Sequence, residues 1–362
     1  MRELGISLYP ENASVDEFKK YIDLAVKYGF TRVFTCLISL DRGADSSFDK
    51  FKDVVKYADS RGMKIIADVD PSVFDALGIS FNELDFFKKM GLFGIRLDLG
   101  FSGNEESIMT YNKQNLKIEI NMSNGTKYLH NILSYEPSVF NLYGCHNFYP
   151  HAYTGLSRKH FIKCSKEFKD LGIRTAAFVS SNNAEFGPWP INEGLCTLEE
   201  HRNLPIDVQA KDLFNTNLID DVIIANCFAS EEELRALSEL DKNIITLDVE
   251  LDENISEPER NIVLEELHFN RGDVSEYMIR STQSRVKYRG HNFELFNPKP
   301  IKKGDILIES SLYTRYAGEL QIALKDMKNS GKTNVVGKIA DEEVFLIDNI
   351  RPWQKFKFKL KK

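Results

Sequence analysis

Phe48 to Arg61, then Gly62, then Lys64-Ile65-Ile66-Ala67-Asp68-Val69-Asp70-Pro71, reads as one structural unit. An amphipathic stretch is stopped by a glycine, the usual helix terminator. A short apolar run follows, ends in two carboxylates, and is barred from simple continuation by a proline. The same grammar precedes it. Ser14 with Glu17 makes a capping box before the stripe Val15, Phe18, Ile22, Ala25 and Val26, Gly29 ends that helix, and Arg32 to Ile38 is the next strand. Working outward, apolar runs begin near Leu4, Arg32, Lys64, Gly94, Lys117, Val139, Arg174 and Asp221. Helical segments are expected over Phe81–Met90, Glu105–Gln114, Gly125–Tyr135, Arg158–Leu171 and Glu231–Leu240. Eight alternating units make an α/β chain that closes as a (β/α)₈ TIM barrel, with polar strand ends gathered at one mouth.

The chain has 362 residues, more than the roughly 250 of a typical barrel, so a second domain is expected. After Leu240 the pattern changes to short strands separated by turns, expected at Ile244–Leu251, Tyr277–Arg280, Phe293–Phe296, Asp305–Glu309, Gly318–Leu324, Thr333–Ile339 and Phe345–Ile347. That is the signature of a small all-β barrel. The domains are drawn as 1–243 and 244–362. The tail Lys355-Phe356-Lys357-Phe358-Lys359-Leu360-Lys361-Lys362 alternates charge and apolar residues and reads as a solvated last strand. The loop from Ser181 to about His201, with Trp189 near its middle, follows strand seven and overhangs the mouth. Trp189 is either a platform for a sugar ring or a plug for the loop itself.

A net charge of −7 argues against a nucleic-acid partner. No apolar run is long enough to span a bilayer, and Leu4–Tyr9 is a first strand rather than a signal peptide. Cys36, Cys145, Cys164, Cys196 and Cys227 are scattered without a CxxC pair, which fits reduced thiols in the cytoplasm. The sequence calls for no cofactor and no metal. The rival metal set, Asp68, Asp70 and Asp98 with His146 or His151, lacks the HxH expected after strand one of metal-dependent amidohydrolases.

Residues two apart on a strand share a face, so Asp68 with Asp70, Arg96 with Asp98, and Glu119 with Asn121 are same-face pairs on three successive strands. Two carboxylates flanking a scissile bond are the requirement of glycoside hydrolysis. Asp70, Asp98 and Glu119 are the catalytic candidates. Arg96 beside Asp98 holds Asp98 ionised, leaving Glu119 or Asp70 as proton donor. Strand-end carboxylates also cap helices and bind rim cations, which is the bland alternative for each. Ser7, Tyr9, Asp68, Arg96, Asn121, Tyr143, His146, Asn147 and Trp189 are the substrate-binding candidates. Cys145 is read as a buried thiol, and His130, His160 and His201 as structural or solvent-facing. In the second domain Arg271, Arg280, Ser281 and Arg285 offer guanidinium forks and a hydroxyl suited to phosphate, with a salt-bridged surface as the alternative.

At Gly5-Ile6-Ser7-Leu8-Tyr9-Pro10, Tyr143-Gly144-Cys145-His146-Asn147-Phe148-Tyr149-Pro150, Arg271-Gly272-Asp273 and Ile279-Arg280-Ser281-Thr282 the chain resembles the 6-phospho-N-acetylmuramidase (MupG-type) family, over essentially its full length. The resemblance implies a TIM barrel followed by a cyclophilin-like β-barrel. It implies cytoplasmic cleavage of a phosphorylated amino-sugar disaccharide, MurNAc 6-phosphate–GlcNAc, to MurNAc 6-phosphate and GlcNAc in cell-wall recycling. It does not name the acid or its partner, so the carboxylates rest on the residue reading, and retaining, inverting and substrate-assisted routes stay open. A homo-oligomer is compatible with the sequence. The competing functions are a sugar-phosphate lyase or isomerase, which wants strand-end lysines, and a non-catalytic sugar-phosphate-binding regulator.

Overall fold

The computed structural model describes residues 1–38 and 45–361. The chain divides into two compact units, Met1–Glu239 and Leu240–Lys362.

In the first unit, strands β1 (Glu3–Leu8), β2 (Arg32–Cys36), β3 (Lys64–Val69), β4 (Gly94–Leu97), β5 (Lys117–Asn121), β6 (Leu142–Cys145), β7 (Arg174–Val179) and β8 (Asp221–Ile224) close in sequence order into one parallel barrel. The helices are α1 (Val15–Lys27), α2 (Asp45–Ser60), α3 (Pro71–Leu77), α4 (Asp85–Lys89), α5 (Asn104–Thr110), α6 (Tyr128–Leu133), α7 (Arg158–Lys169), α8 (Ile206–Asn215) and α9 (Glu231–Ser238). The barrel expected from the sequence is therefore present. Its first helix starts as read: Glu17 N donates to Ser14 Oγ at 3.3 Å, and Ser14 N donates to the Glu17 carboxylate at 2.8 Å.

Two local expectations move. The sixth strand begins at Leu142 rather than Val139, because Val139–Asn141 forms a 3₁₀ turn in which Asn141 N donates to Ser138 O at 2.9 Å. The helix expected over Phe81–Met90 contracts to α4. The sequence also predicts a loop at the barrel mouth over residues 41–45, after the second strand, and of these only Asp45 lies among the described residues.

Register decides which side chains reach the mouth. Cys36 pairs with Asp68, Asp68 with Arg96, Arg96 with Glu119, Glu119 with Tyr143, and Tyr143 with Arg174. All share the inner face. Strands of a closed barrel tilt by roughly 36° to its axis, so a row in hydrogen-bond register descends as it passes round the barrel. Residues that look equivalent in sequence end at different depths.

The second unit is a seven-stranded mixed sheet, built from β9 (Ile245–Leu251), β10 (His268–Phe269), β11 (Met278–Ser281), β12 (Asp305–Glu309), β13 (Leu320–Ala323), β14 (Thr333–Ile339) and β15 (Lys355–Leu360) in the order β10-β15-β9-β14-β12-β13-β11. It carries α10 (Glu257–Glu265) and α11 (Gln283–Lys287). The sheet is nearly closed, and Arg271 N donates to Arg280 O at 3.1 Å across the gap. The core includes Ile301, Leu307, Ala323 and Val335.

Phe293–Phe296 is not a strand. Phe293 N donates to Ser311 Oγ at 2.8 Å and Phe296 N to Asn334 Oδ1 at 3.1 Å, so side chains take the amides a ladder would use. Phe345–Ile347 lies in a 3₁₀ segment, Asp341–Asn349. The tail is no free edge: β15 is paired with β10 on one side and, in parallel, with β9 on the other. Its Phe356 and Phe358 are buried, while Lys355 and Lys357 are exposed.

Candidate functional site

A cavity of about 310 Å³ opens at the carboxyl end of the barrel, lined by Ile38, Asp68, Asp70, Arg96, Asp98, Leu99, Asn147, Phe148, Pro150, Phe178 and Trp189. Its centre is Arg96, only 2% exposed. Arg96 Nη1 donates to Asp68 Oδ1 at 2.6 Å and to Asp98 Oδ1 at 3.2 Å, and Nη2 donates to Asn147 Oδ1. One guanidinium thus spaces two carboxylates and an amide at the carboxyl ends of β3, β4 and β6, a rigid fork that a lysine would not reproduce. Asn121 Nδ2 donates to Asp98 Oδ1 at 3.3 Å, and its own Oδ1 accepts from Ser123 N at 2.9 Å. Asn121 therefore orients Asp98 and does not itself line the cavity.

The two aspartates sit in different surroundings. The Asp98 side chain is 38% exposed and that of Asp68 12%. Burial pushes Asp68 up to about 7 against the pull of Arg96, and the neighbouring Asp98 charge pushes the same way. A carboxyl held protonated beside a more solvated partner is how two like groups take opposite roles in one site. Asp68, read from sequence as a binding residue, becomes the proton-carrying candidate. The floor is apolar: Phe34, Phe148 and Phe178 meet edge-on, with ring centres 5.0–5.9 Å apart. Trp189, 48% exposed, forms part of the rim.

Other candidates lie elsewhere. Asp70 lines the cavity, but it also caps α3, accepting from Val73 N at 3.0 Å and Ser72 Oγ at 2.6 Å. Glu119 does not line it. It is fully buried deeper in the barrel and ion-paired with Arg32, which also holds Asp221 at 2.5 Å; Arg174 completes the network on Asp221. Register explains this, because Glu119 lies two residues below Asn121 on the descending row. Burial works against the Arg32 charge, yet the Glu119 and Asp221 carboxylates raise its pKa above the ordinary arginine value. Tyr143 lies in the same deep layer, paired in register with Arg174, and does not line the cavity.

Ser7 Oγ donates to Ile224 O at 2.7 Å and Tyr9 Oη to Ala225 O at 2.6 Å; both are buried and lock β1 to the end of β8. His146 is also buried away from the cavity. Its Nδ1 lies 3.1 Å from Ser123 Oγ and its Nε2 2.8 Å from Ser165 Oγ, and burial lowers it to about 3, so the ring is neutral. His151 is exposed, 2.6 Å from Glu193. Neither histidine joins the aspartates, so the rival metal set does not converge. Burial pushes the Cys145 thiol well up, in line with an inert sulfur.

Sequence reading missed the residue that fastens the walls. Arg202 Nη1 donates to Tyr149 O at 2.9 Å, Glu193 O at 3.1 Å and Gly194 O at 2.8 Å, and its Nη2 pairs with Glu199 at 2.6 Å. It ties the segment after β6 to the loop that carries Trp189. The paired Arg202 guanidinium holds Glu199 down at about 2. The one local cue is Glu199 three residues before Arg202; the carbonyls it fastens lie in other segments and leave no mark in the sequence.

The second unit has its own cavity, of about 780 Å³, lined by Arg271, Asp273, Arg280, Arg285, Val286, Tyr288, Arg289, Gly290, His291, Thr314, Arg315, Tyr316 and Ala317. Three of the four phosphate candidates, Arg271, Arg280 and Arg285, meet there. Ser281 does not: it is buried, with Oγ 3.0 Å from His268 Nδ1 and donating to Gln283 Oε1 at 3.0 Å. Arg315 and Tyr316 went unnoticed because they lie about thirty-five residues on from Arg280; Arg289, four residues after Arg285, was within reach of the sequence and was missed.

Among the described residues, no helix is long and apolar enough to cross a membrane. No curated protein matches the chain. Over 99% of both chains it is 47% identical to an uncharacterized B. cereus protein of known crystal structure, with a TM-score of 0.91. A conserved Enterococcus faecalis protein of unknown function shares the fold at 24% identity, with a TM-score of 0.72 over 99% of this chain and 96% of that one. Residues 4–239 match the family described as 6-phospho-N-acetylmuramidase, N-terminal, and residues 245–359 its C-terminal counterpart. With both halves matched in order, the chain belongs to the 6-phospho-N-acetylmuramidase family.

Proposed function

We propose that this chain is a glycoside hydrolase that splits MurNAc 6-phosphate–GlcNAc into MurNAc 6-phosphate and GlcNAc, in the cytoplasm, as a step of cell-wall recycling. The observation that carries the reading is the Asp68–Arg96–Asp98 arrangement at the barrel mouth. Asp68, carrying its proton near neutral pH, donates it to the glycosidic oxygen as the bond to the leaving sugar breaks. Asp98, beside Arg96, faces the positive charge that develops at the anomeric carbon, where a water molecule finally adds its oxygen and returns a proton to Asp68. Asn147 and Trp189 bind the sugar, one by hydrogen bonds and the other by its ring face. Family membership supports the choice of substrate, and five buried cysteine thiols suit a reducing compartment. Among the described residues the cavity lining includes no lysine, which weighs against the Schiff-base lyase reading.

Incubation with the phosphorylated and the unphosphorylated disaccharide, with released GlcNAc quantified, tests the proposal. Turnover of the phosphorylated compound is expected to dominate. Equal turnover of both contradicts the phosphate requirement, and turnover of neither contradicts the hydrolase.

A further inference from the structure

The second unit's cavity is rich in arginine. Five arginines (271, 280, 285, 289 and 315) line it against a single carboxylate, Asp273, in a chain whose formal charge is −7. Two of these arginines are built in rather than draped over the surface. Glu319, fully buried beneath them, lies 2.8 Å from Arg280 Nε through Oε1 and 2.8 Å from Arg285 Nη1 through Oε2. The Tyr316 ring lies 6.0 Å from the Arg280 guanidinium and 5.3 Å from that of Arg285. Each fork spends one edge on Glu319 and keeps its remaining N–H groups. Arg271 is held by Asp273 at 2.6 Å, and among the described residues Arg289 and Arg315 form no ion pair. On the same rim Thr314 sits at φ 42°, ψ −85°, a conformation rare for a non-glycine residue and typical of ligand-shaping loops.

We infer that this cavity binds a phosphate monoester carried on a sugar. Planar forks match phosphate oxygens bidentately, and the excess of positive charge suits a dianion better than a carboxylate. At about 780 Å³ the cavity accommodates more than the phosphate, and Tyr288 and Tyr316 supply aromatic surface beside it. The sugar half of the assignment rests on the proposed hydrolase reading; the phosphate half stands on the arginines alone. The ester is either the substrate's own 6-phosphate or a separate sugar phosphate acting as effector, and the two sources are separable.

Calorimetric titration of the full chain with glucose 6-phosphate and with glucose is the test. Binding of the former and not the latter is expected. Arg289→Gln with Arg315→Gln, which leaves the Glu319 pairs intact, is expected to weaken that binding at least about tenfold, one charged contact being worth roughly that factor, with melting temperature unchanged. No binding by the native chain, or equal binding by the double variant, overturns the site. If the same variant raises KM for the phosphorylated disaccharide, the bound ester is the substrate's. If KM holds while glucose 6-phosphate binding falls, it is an effector's. A chain that binds glucose 6-phosphate but turns over neither disaccharide keeps this site and loses the hydrolase reading.

Discussion

Asp68 and Asp98 illustrate how two chemically identical side chains part company. They contact the same nitrogen of Arg96, yet burial raises Asp68 to about 7 while Asp98 stands more in solvent. As a proton donor Asp68 is competent below that value and loses its proton above it, so kcat/KM is expected to fall on the alkaline side with a midpoint near 7. Asp68→Asn should lower kcat about 10²–10⁴-fold and flatten that limb, since the amide has no proton to lose in the range. An unchanged pH profile in the variant would remove Asp68 from the role. Glu119 makes the opposite case. Buried against Arg32, it is expected to hold the barrel together, and Glu119→Gln should cost about 3 kcal/mol in urea unfolding because a buried charge loses one partner. The folded variant should keep the alkaline midpoint of the native chain. Loss of kcat with unaltered stability would instead restore Glu119 as a catalytic group.

At the scale of elements, the barrel strands were legible because burial on both faces writes near-continuous apolar runs, punctuated by Gly29, Gly62 and Gly172 at helix ends. Depth within the barrel was not legible. Sequence places Asp98 and Glu119 at comparable strand ends, and only strand tilt separates a mouth residue from an interior one. The short segments of the second unit were read by composition, which cannot distinguish Phe293–Phe296, capped by Ser311 and Asn334 side chains, from a true strand. The loop between β7 and α8 was legible as an overhang but not in its anchoring. Arg202 bonds three carbonyls from two segments, so Arg202→Ala should let Trp189 and the Asn147–Pro150 wall drift together. The expected result is a KM increase of about tenfold or more with the pH midpoint of kcat/KM unmoved, which marks positioning rather than proton transfer. A Trp189→Ala variant should reproduce the KM effect while leaving thermal stability close to native, because its side chain is half exposed.

For the whole molecule, charge and sheet closure set what each unit does unaided. The barrel has no free strand edge, and the second sheet nearly closes on itself, so each unit carries the internal pairing a folded domain needs. Every residue lining the arginine cavity lies in the second unit. A fragment beginning at Leu240 is therefore expected to fold cooperatively and to bind glucose 6-phosphate with the affinity of the full chain. Because a ligand that binds only the folded state stabilises it by RT ln(1 + [L]/Kd), saturation at one hundred times Kd should add about 2.7 kcal/mol and raise the fragment's melting temperature by several degrees. The interaction is between fixed guanidinium groups and a mobile dianion, so the gain should shrink as salt rises from about 0.05 to 0.5 M. Thermal melts of the fragment across that range, with glucose as the uncharged control, check the point. A shift that is insensitive to salt, or one that glucose produces equally, would mean that the arginines serve packing and not recognition.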